Sequence, residues 1–338
     1  MLEAVLIPAA VVVIVLVIAR RCIDPHSVLY IADAPNERSL HHVPTPRAGG
    51  IAMLTAILTA WLLLWLLDHN PLPWLMLPVS LLVVLGVLDD WKNLRARTRF
   101  VFHLLAALAV VYFGFGLARI DLGGIVLTPP GWVLFVLSLG FILWMLNLYN
   151  FMDGMDGFAG GMTFFGFLTY AVLGLIKGAE AFALMSLTVS GAAAGFLWFN
   201  FPPARLFMGD SGSVPLGYTM AVFALWADRD GLFPLWISVV IFSPFVVDAT
   251  VTLLKRVFQG HKIWHPHRSH YYQQLVRRGW SHRKTVVFEY FLMVVSAGFA
   301  IIAVLFGGMF HWLAAVGALL IYGILITVFH SFMDDTDR

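Results

Sequence analysis

Long apolar runs separated by short polar segments dominate this chain. Eleven runs read as membrane-crossing helices, at 4–19, 48–67, 74–88, 100–118, 132–149, 158–176, 181–199, 214–226, 232–254, 286–306 and 310–330. A helix needs roughly 20 apolar residues to cross a bilayer perpendicularly, so several of these are short, and 214–226 is the weakest. In lipid each backbone N–H and C=O must be satisfied within its own segment, which selects helices. The period-two alternation of a membrane barrel is absent. The pattern predicts an all-α polytopic membrane protein, with residues 1–338 forming a single integral membrane domain.

Basic residues set the orientation. With the N-terminus outside, the polar segments 20–47, 89–99, 150–157, 200–213 and 255–285 and the C-terminal tail all face the cytoplasm. Of 21 lysines and arginines, only Arg119, Lys177 and Arg229 then fall outside, as the excess of cytoplasmic positive charge requires. Glu3 precedes the first run and Arg20-Arg21 follow it, the reverse of a signal peptide. The outer loop 119–131 has the length and glycines of a small hairpin. Composition agrees: 60% of residues are hydrophobic and 12% charged, against about 25% charged in soluble domains. The mean hydropathy is +0.87. Cys22 stands alone, which excludes an internal disulfide framework and a cysteine-rich metal site. No nucleic-acid partner is expected; membrane lipids are.

Most unusual polar residues collect on the inner side. The segment "DAPNERSLHHVPTPRAGG" (33–50) carries Asn36, Arg38, His41, His42 and Arg47. It reads either as a lipid-anchoring loop or as a basic cradle for phosphates. In "LGVLDDWKNLRARTRF" (85–100), Asp89 and Asp90 end an apolar helix, where the helix dipole disfavours acids. "NLYNFMDGMDGFAGG" (147–161) holds Asn150, Asp153 and Asp156. The two acids share a face if the next helix has begun, and Gly154 and Gly157 would let a ligand approach the backbone. A capping role explains one acid there but not all three polar residues. In "FNFPPARLFMGDSGSVPLG" (199–217), Asp210 opens a glycine- and serine-rich helix start that offers N–H groups to an anion. The last segment, "HKIWHPHRSHYYQQLVRRGWSHRK" (261–284), mixes histidines with six lysines and arginines. Part of it suits an interfacial amphipathic stretch; histidines at this density also suit phosphate chemistry.

Hard carboxylates without cysteine suit Mg²⁺, with Mn²⁺ as the alternative. A carboxylate-held divalent ion among Arg, Lys and His is the equipment of phosphoryl transfer. Its place at the membrane edge pairs a water-soluble reactant with a lipid.

These segments, in order from Asp33 to about Gly279, resemble the polyprenyl-phosphate N-acetylhexosamine-1-phosphate transferases. Those enzymes start O-antigen and related glycans, and include relatives of phospho-MurNAc-pentapeptide transferase. "LDDWKNL" resembles the family's paired-aspartate motif, "NLYNFMDGMDGFAGG" its N-x-x-N-x-x-D-G-x-D-G signature, and "PARLFMGDSGSVPLG" its F-M-G-D-x-G-S signature. The resemblance implies attack of undecaprenyl phosphate on the β-phosphorus of a UDP-N-acetyl sugar, giving undecaprenyl-diphosphate-sugar and UMP at the cytoplasmic face of a bacterial inner membrane.

The resemblance also implies roles. Asp210 would bind the metal. Asp89, Asp90 and His270 would be catalytic, with Asp89 as base or nucleophile and His270 near the diphosphate. Asn150, Asp153 and Asp156 would hold the nucleotide, Phe207 would stack on the uracil, and Asn36, Arg38, His42 and Arg268 would bind substrate. Relatives carry a His-x-His-His run where this chain keeps His270 but has Tyr272 and Gln273. That departure points to the O-antigen branch, with an N-acetyl-fucosamine-type or GlcNAc-type donor, over peptidoglycan precursors. A homodimer is compatible with this reading. A transporter is the rival from another class, but transporter sites lie near the bilayer midplane, whereas these acids lie at span ends.

Overall fold

The computed structural model describes residues 2–33, 44–69, 72–261 and 268–336. Thirteen α-helices are present among them: α1 (Leu2–Ile23), α2 (Gly49–Leu66), α3 (Met76–Lys92), α4 (Ala96–Tyr112), α5 (Gly131–Met152), α6 (Phe158–Ile176), α7 (Glu180–Asn200), α8 (Asp210–Arg229), α9 (Leu235–Ile241), α10 (Ser243–Phe258), α11 (Tyr271–Arg277), α12 (His282–Phe306) and α13 (Met309–Thr336). Two short antiparallel pairs complete it. β1 (Ala32–Asp33) pairs with β2 (Thr45–Pro46), and β3 (Ile120–Asp121) with β4 (Val126–Leu127). The second pair is the hairpin expected in the outer loop.

Eight described helices are long and apolar enough to cross a membrane: α1, α2, α3 with the short turn before it, α5, α6, α7, α12 and α13. The chain is an all-α polytopic membrane protein. The remaining three expected runs fold differently. α4 is a shorter helix of 17 residues. α8 is the central helix, buried from Ser211 to Ala227 between α2, α3 and α5. The run 232–254, read as one span, is two helices that meet at an angle of 87°. The break falls at Phe242, just before "SP". Pro244 has no N–H to continue the ladder, and proline disfavours helical geometry in the residue before it.

α8 sits so close to its neighbours that side chains are excluded. A Cβ on Gly50 would strike the backbone of Gly212, and a Cβ on Gly86 would lie 2.5 Å from Ser211 Cα. The loop before α8 is also stitched to the start of α2. Phe207 N–H donates to Pro46 O (2.8 Å), Gly49 N–H to Phe207 O (2.9 Å) and Gly50 N–H to Met208 O (2.8 Å). The start of α2, the ends of α3 and α5 and the start of α8 thus form one rigid platform.

Substituting Gly50 with Val forces α2 and α8 apart, at a cost of about 1–3 kcal/mol for overpacking. A methyl group added at Gly140, in the middle of α5, would meet nothing within 4 Å. Thermal melts of detergent-solubilised protein should show a clear drop for Gly50→Val and none for Gly140→Ala.

Candidate active site

Four elements converge at this platform: the end of α3, the start of α4, the α5–α6 turn and the start of α8. The paired acids of α3 divide their work. Successive helix residues point about 100° apart, so Asp89 and Asp90 face different neighbours. Asp90, only 3% exposed, accepts from Asp210 N–H and Ser211 N–H, each at 3.0 Å. It therefore satisfies two of the orphan donors that open α8. The anion-binding helix start expected from "GDSGS" is thus occupied by the chain's own carboxylate. Arg47 supports Asp90, donating to its main-chain oxygen and lying 3.8 Å from its carboxylate and 3.4 Å from Asp33.

Asp89 faces the other way. It accepts from Leu94 N–H (2.6 Å) and from Arg99 Nη1 (2.8 Å). The same guanidinium nitrogen lies 3.4 Å from Asp210 Oδ2, so Arg99 bridges Asp89 and Asp210. Asn150 holds the other Asp210 oxygen at 2.8 Å and Ser213 Oγ at 3.1 Å. These groups line a cavity of about 240 Å³ between α3, α4, α5 and α8. Asp89, Arg99, His103, Asn147, Asn150 and Asp210 form its polar side, and Leu85, Phe100, Leu146 and Val214 are on its apolar side.

α5 ends at Met152 and α6 begins at Phe158, so Asp153 and Asp156 lie in a turn and do not share a helix face. Asp153 lies beside Gly209 N–H, Asp210 and Asp90. Burial, then those two acids, hold its carboxyl well above the usual aspartate range. Asp156 turns away, accepting from Ala204 N–H at 3.0 Å and lying 3.3 Å from His282 Nδ1. The glycines between them make room for the protein itself. A Cβ on Gly154 would meet the Tyr272 hydroxyl, and one on Gly157 would meet Tyr290 and Pro202. Gly157 also has φ of 75°, which a side chain resists.

His270 precedes α11 and is buried. Its Nδ1 lies 3.1 Å from Asp248 Oδ1. Asp248, on α10, also accepts from Tyr271 N–H (3.0 Å), Tyr272 N–H (3.1 Å) and Thr252 Oγ1 (3.1 Å). His270 stacks on Tyr272, whose hydroxyl donates to Phe151 O at 3.3 Å. Tyr272 thereby docks α11 onto the α5–α6 turn. Phe207 is half-buried in the stitched loop, and Arg268 lies just ahead of His270. Asn36, Arg38 and His42 lie outside the described residues, as do His41, His265 and His267.

Sequence reasoning passed over Asp248, His282 and the bridging role of Arg99. Asp248 had a usable signal, since an acid inside an apolar run marks a functional site by default. The Asp210 contact of Arg99 and the Asp156 contact of His282 had none, because each joins residues more than 100 positions apart. Among the described residues, no three His, Cys, Asp or Glu side chains converge tightly enough to hold a metal unaided.

The chain is similar in sequence to several known proteins. Residues 72–228, which carry the paired acids, the α5–α6 turn and α8, match glycosyl transferase family 4. The chain is 30% identical over 274 residues to a probable undecaprenyl-phosphate N-acetylglucosaminyl 1-phosphate transferase of Bacillus subtilis (strain 168), covering 78% of this chain and 76% of that one. It is 29% identical over 328 residues to decaprenyl-phosphate N-acetylglucosaminephosphotransferase of Mycobacterium leprae (strain TN), covering 87% and 82%. It is 32% identical over 284 residues to phospho-N-acetylmuramoyl-pentapeptide-transferase of Chloroflexus aurantiacus (strain ATCC 29366 / DSM 635 / J-10-fl), covering 74% of each.

Replacing Asp90 with Ala strands two buried N–H groups at the start of α8, at about 1–3 kcal/mol for each unsatisfied donor. Asp90→Asn keeps one acceptor. Thermal melts should rank wild type above Asp90→Asn above Asp90→Ala. Asp248→Ala should likewise release His270 and the first turn of α11, read as faster amide hydrogen exchange over 270–277 with the rest of the chain unchanged.

Proposed function

The chain belongs to glycosyl transferase family 4, and on that premise we propose that it moves an N-acetylhexosamine-1-phosphate from a UDP-sugar to undecaprenyl phosphate at the cytoplasmic face of a bacterial inner membrane. The observation that carries this is the cavity in which Asp89, Arg99, Asn150 and Asp210 meet an apolar wall. Such a site suits a phosphate on a hydrocarbon chain. The GlcNAc-type donor is favoured by the names of two relatives, and the product would begin an O-antigen or similar surface glycan. The relative from Chloroflexus supports a second reading, with a UDP-MurNAc-pentapeptide donor.

In the reaction, an oxygen of the lipid phosphate bonds to the β-phosphorus of the UDP-sugar. The bond from that phosphorus to the bridging oxygen breaks, and UMP leaves with that oxygen. A phosphate monoester has a second pKa near 6, so the lipid nucleophile is already mostly dianionic and needs no strong base. Arg99 would receive the phosphoryl oxygens, as cations do where charge gathers in such transfers. Asp89, held by Leu94 N–H and Arg99, fits a positioning role better than a covalent one. His270, set by Asp248, would contact the diphosphate. Asp156 would face the nucleotide together with Phe207 and Arg268.

The carboxylates fit Mg²⁺ in kind. Burial first, and then the neighbouring Asp210 and Asp90, raise the Asp153 carboxyl, and a divalent cation relieves such crowding of acids. Asp210, with Asp153, would hold the ion, and the ion would supply charge neutralisation of the diphosphate.

Purified protein in lipid nanodiscs with undecaprenyl phosphate and Mg²⁺ should release UMP from UDP-GlcNAc. Asp210→Asn should lower the rate by roughly 10²-fold or more, the scale for removing an electrostatic stabiliser. The same assay with UDP-N-acetyl-fucosamine and UDP-MurNAc-pentapeptide ranks the donors; no UMP from any of them would refute the assignment. A stoichiometric UMP burst without lipid would instead establish a two-step route through Asp89.

Mg²⁺ should also stabilise the fold in a pH-dependent way. An aspartate whose pKa is raised in the folded state destabilises that state progressively as pH climbs from its unfolded value, about 3.9, toward the raised value. The thermal shift on adding Mg²⁺ should therefore be larger at pH 8 than at pH 5. Equal shifts would remove Asp153 from the ion's surroundings.

A further inference from the structure

A second cavity, of about 570 Å³, lies between α10, α11, α12 and α13. It is well within the roughly 300–1,000 Å³ of small-molecule sites. Leu292, Leu325 and Phe329 line it with apolar surface, and Trp280 and Lys284 stand at its inner rim.

Two polar groups there have no partner. Glu289 is only 7% exposed and lines this cavity, yet its carboxyl makes no hydrogen bond among the described residues. The Tyr271 hydroxyl, on another wall, is buried and unpaired as well. A carboxyl within a membrane helix is costly and marks function by default. Two orphaned groups on two walls of one cavity call for a donor supplied from outside the chain. Asp248 shares the cavity wall but is already committed to His270, Thr252 and the first N–H groups of α11.

The charges are ordered by depth. Lys284 is exposed and lies over the Trp280 ring at 3.9 Å, a pairing typical of the headgroup level. Glu289 comes five residues later on α12, about 7.5 Å deeper along the helix axis. Leucines and aromatic rings follow. We propose that this cavity takes the headgroup of a membrane aminophospholipid, with its phosphate at Lys284, its ammonium turned inward to Glu289 and the Tyr271 hydroxyl, and its acyl chains leaving from the phosphate side along the outer face of the helices. A primary ammonium is required, because a choline headgroup has no N–H to donate. Since Asp248 forms part of the wall, the bound lipid buttresses the same carboxylate that fixes His270.

The test uses full-length protein in nonionic detergent, mixed with equimolar phosphatidylethanolamine and phosphatidylcholine of identical acyl chains, and read by native mass spectrometry. One phosphatidylethanolamine per chain should be retained over phosphatidylcholine by about tenfold, the worth of a charge-assisted hydrogen bond. Glu289→Gln should erase that preference. Leu325→Trp, which fills the cavity from α13 without touching a charge, should reduce retention of both lipids. Equal retention of the two lipids by wild type overturns the proposal, as does an unchanged preference in Glu289→Gln or undiminished retention in Leu325→Trp. The readout does not involve sugar transfer, so it stands or falls apart from the donor assay.

Discussion

The end of the protein that carries the site depends on one carboxylate. Asp90 ends α3 and, by accepting from Asp210 and Ser211, begins α8. A buried helix start needs such a partner, because no water is available to its N–H groups. With Asp90 in place, Asp210 is delivered to the cavity with both oxygens facing Asn150 and Arg99. Arg47 balances the charge and ties the end of the first inner loop to the same point. Asp89, one residue earlier, is left to face the cavity. The two adjacent acids are therefore not a pair in the chemical sense, since one builds the site and the other lines it.

The site crowds its acids together but gives each its own anchor. Asp89 is held by the α3–α4 turn, Asp156 by Ala204 and Asp210 by Asn150. Each is fixed by a partner that cannot easily rotate away, most often a main-chain N–H. That rigidity suits a reaction whose catalysis is mainly positioning and charge placement. Arg99 is the exception. A long side chain shared between two carboxylates can yield one of them to an incoming phosphate.

Much of this was legible in the chain. Apolar runs translate into helices with little ambiguity because lipid offers the backbone no alternative. The acids at the ends of apolar runs stood out because the rest of each run carries so little charge. The break at Phe242 was written in "SP", but continuous apolarity on both sides masked it. The turn after Met152 was harder, since the acids' spacing fits a helix face equally well. The purpose of the glycines was not legible at all. Whether Gly154 clears space for a ligand or for Tyr272 depends on a residue 118 positions away by number. Asp248 and His270, and Asp156 and His282, are likewise joined only by tertiary structure.

The contact of α8 with α2 and α3 has a further consequence. At Gly50, Gly86 and Gly212 the helices meet main chain to main chain, and the main chain is the one part of a protein that substitution does not alter. Drift in side chains can reshape a core by small exchanges of volume, but here there is no volume to exchange. The platform can be kept or lost and has few intermediate forms. Diversification toward new sugars or lipids is then channelled into the loops and the outer helices, where side chains still separate the elements.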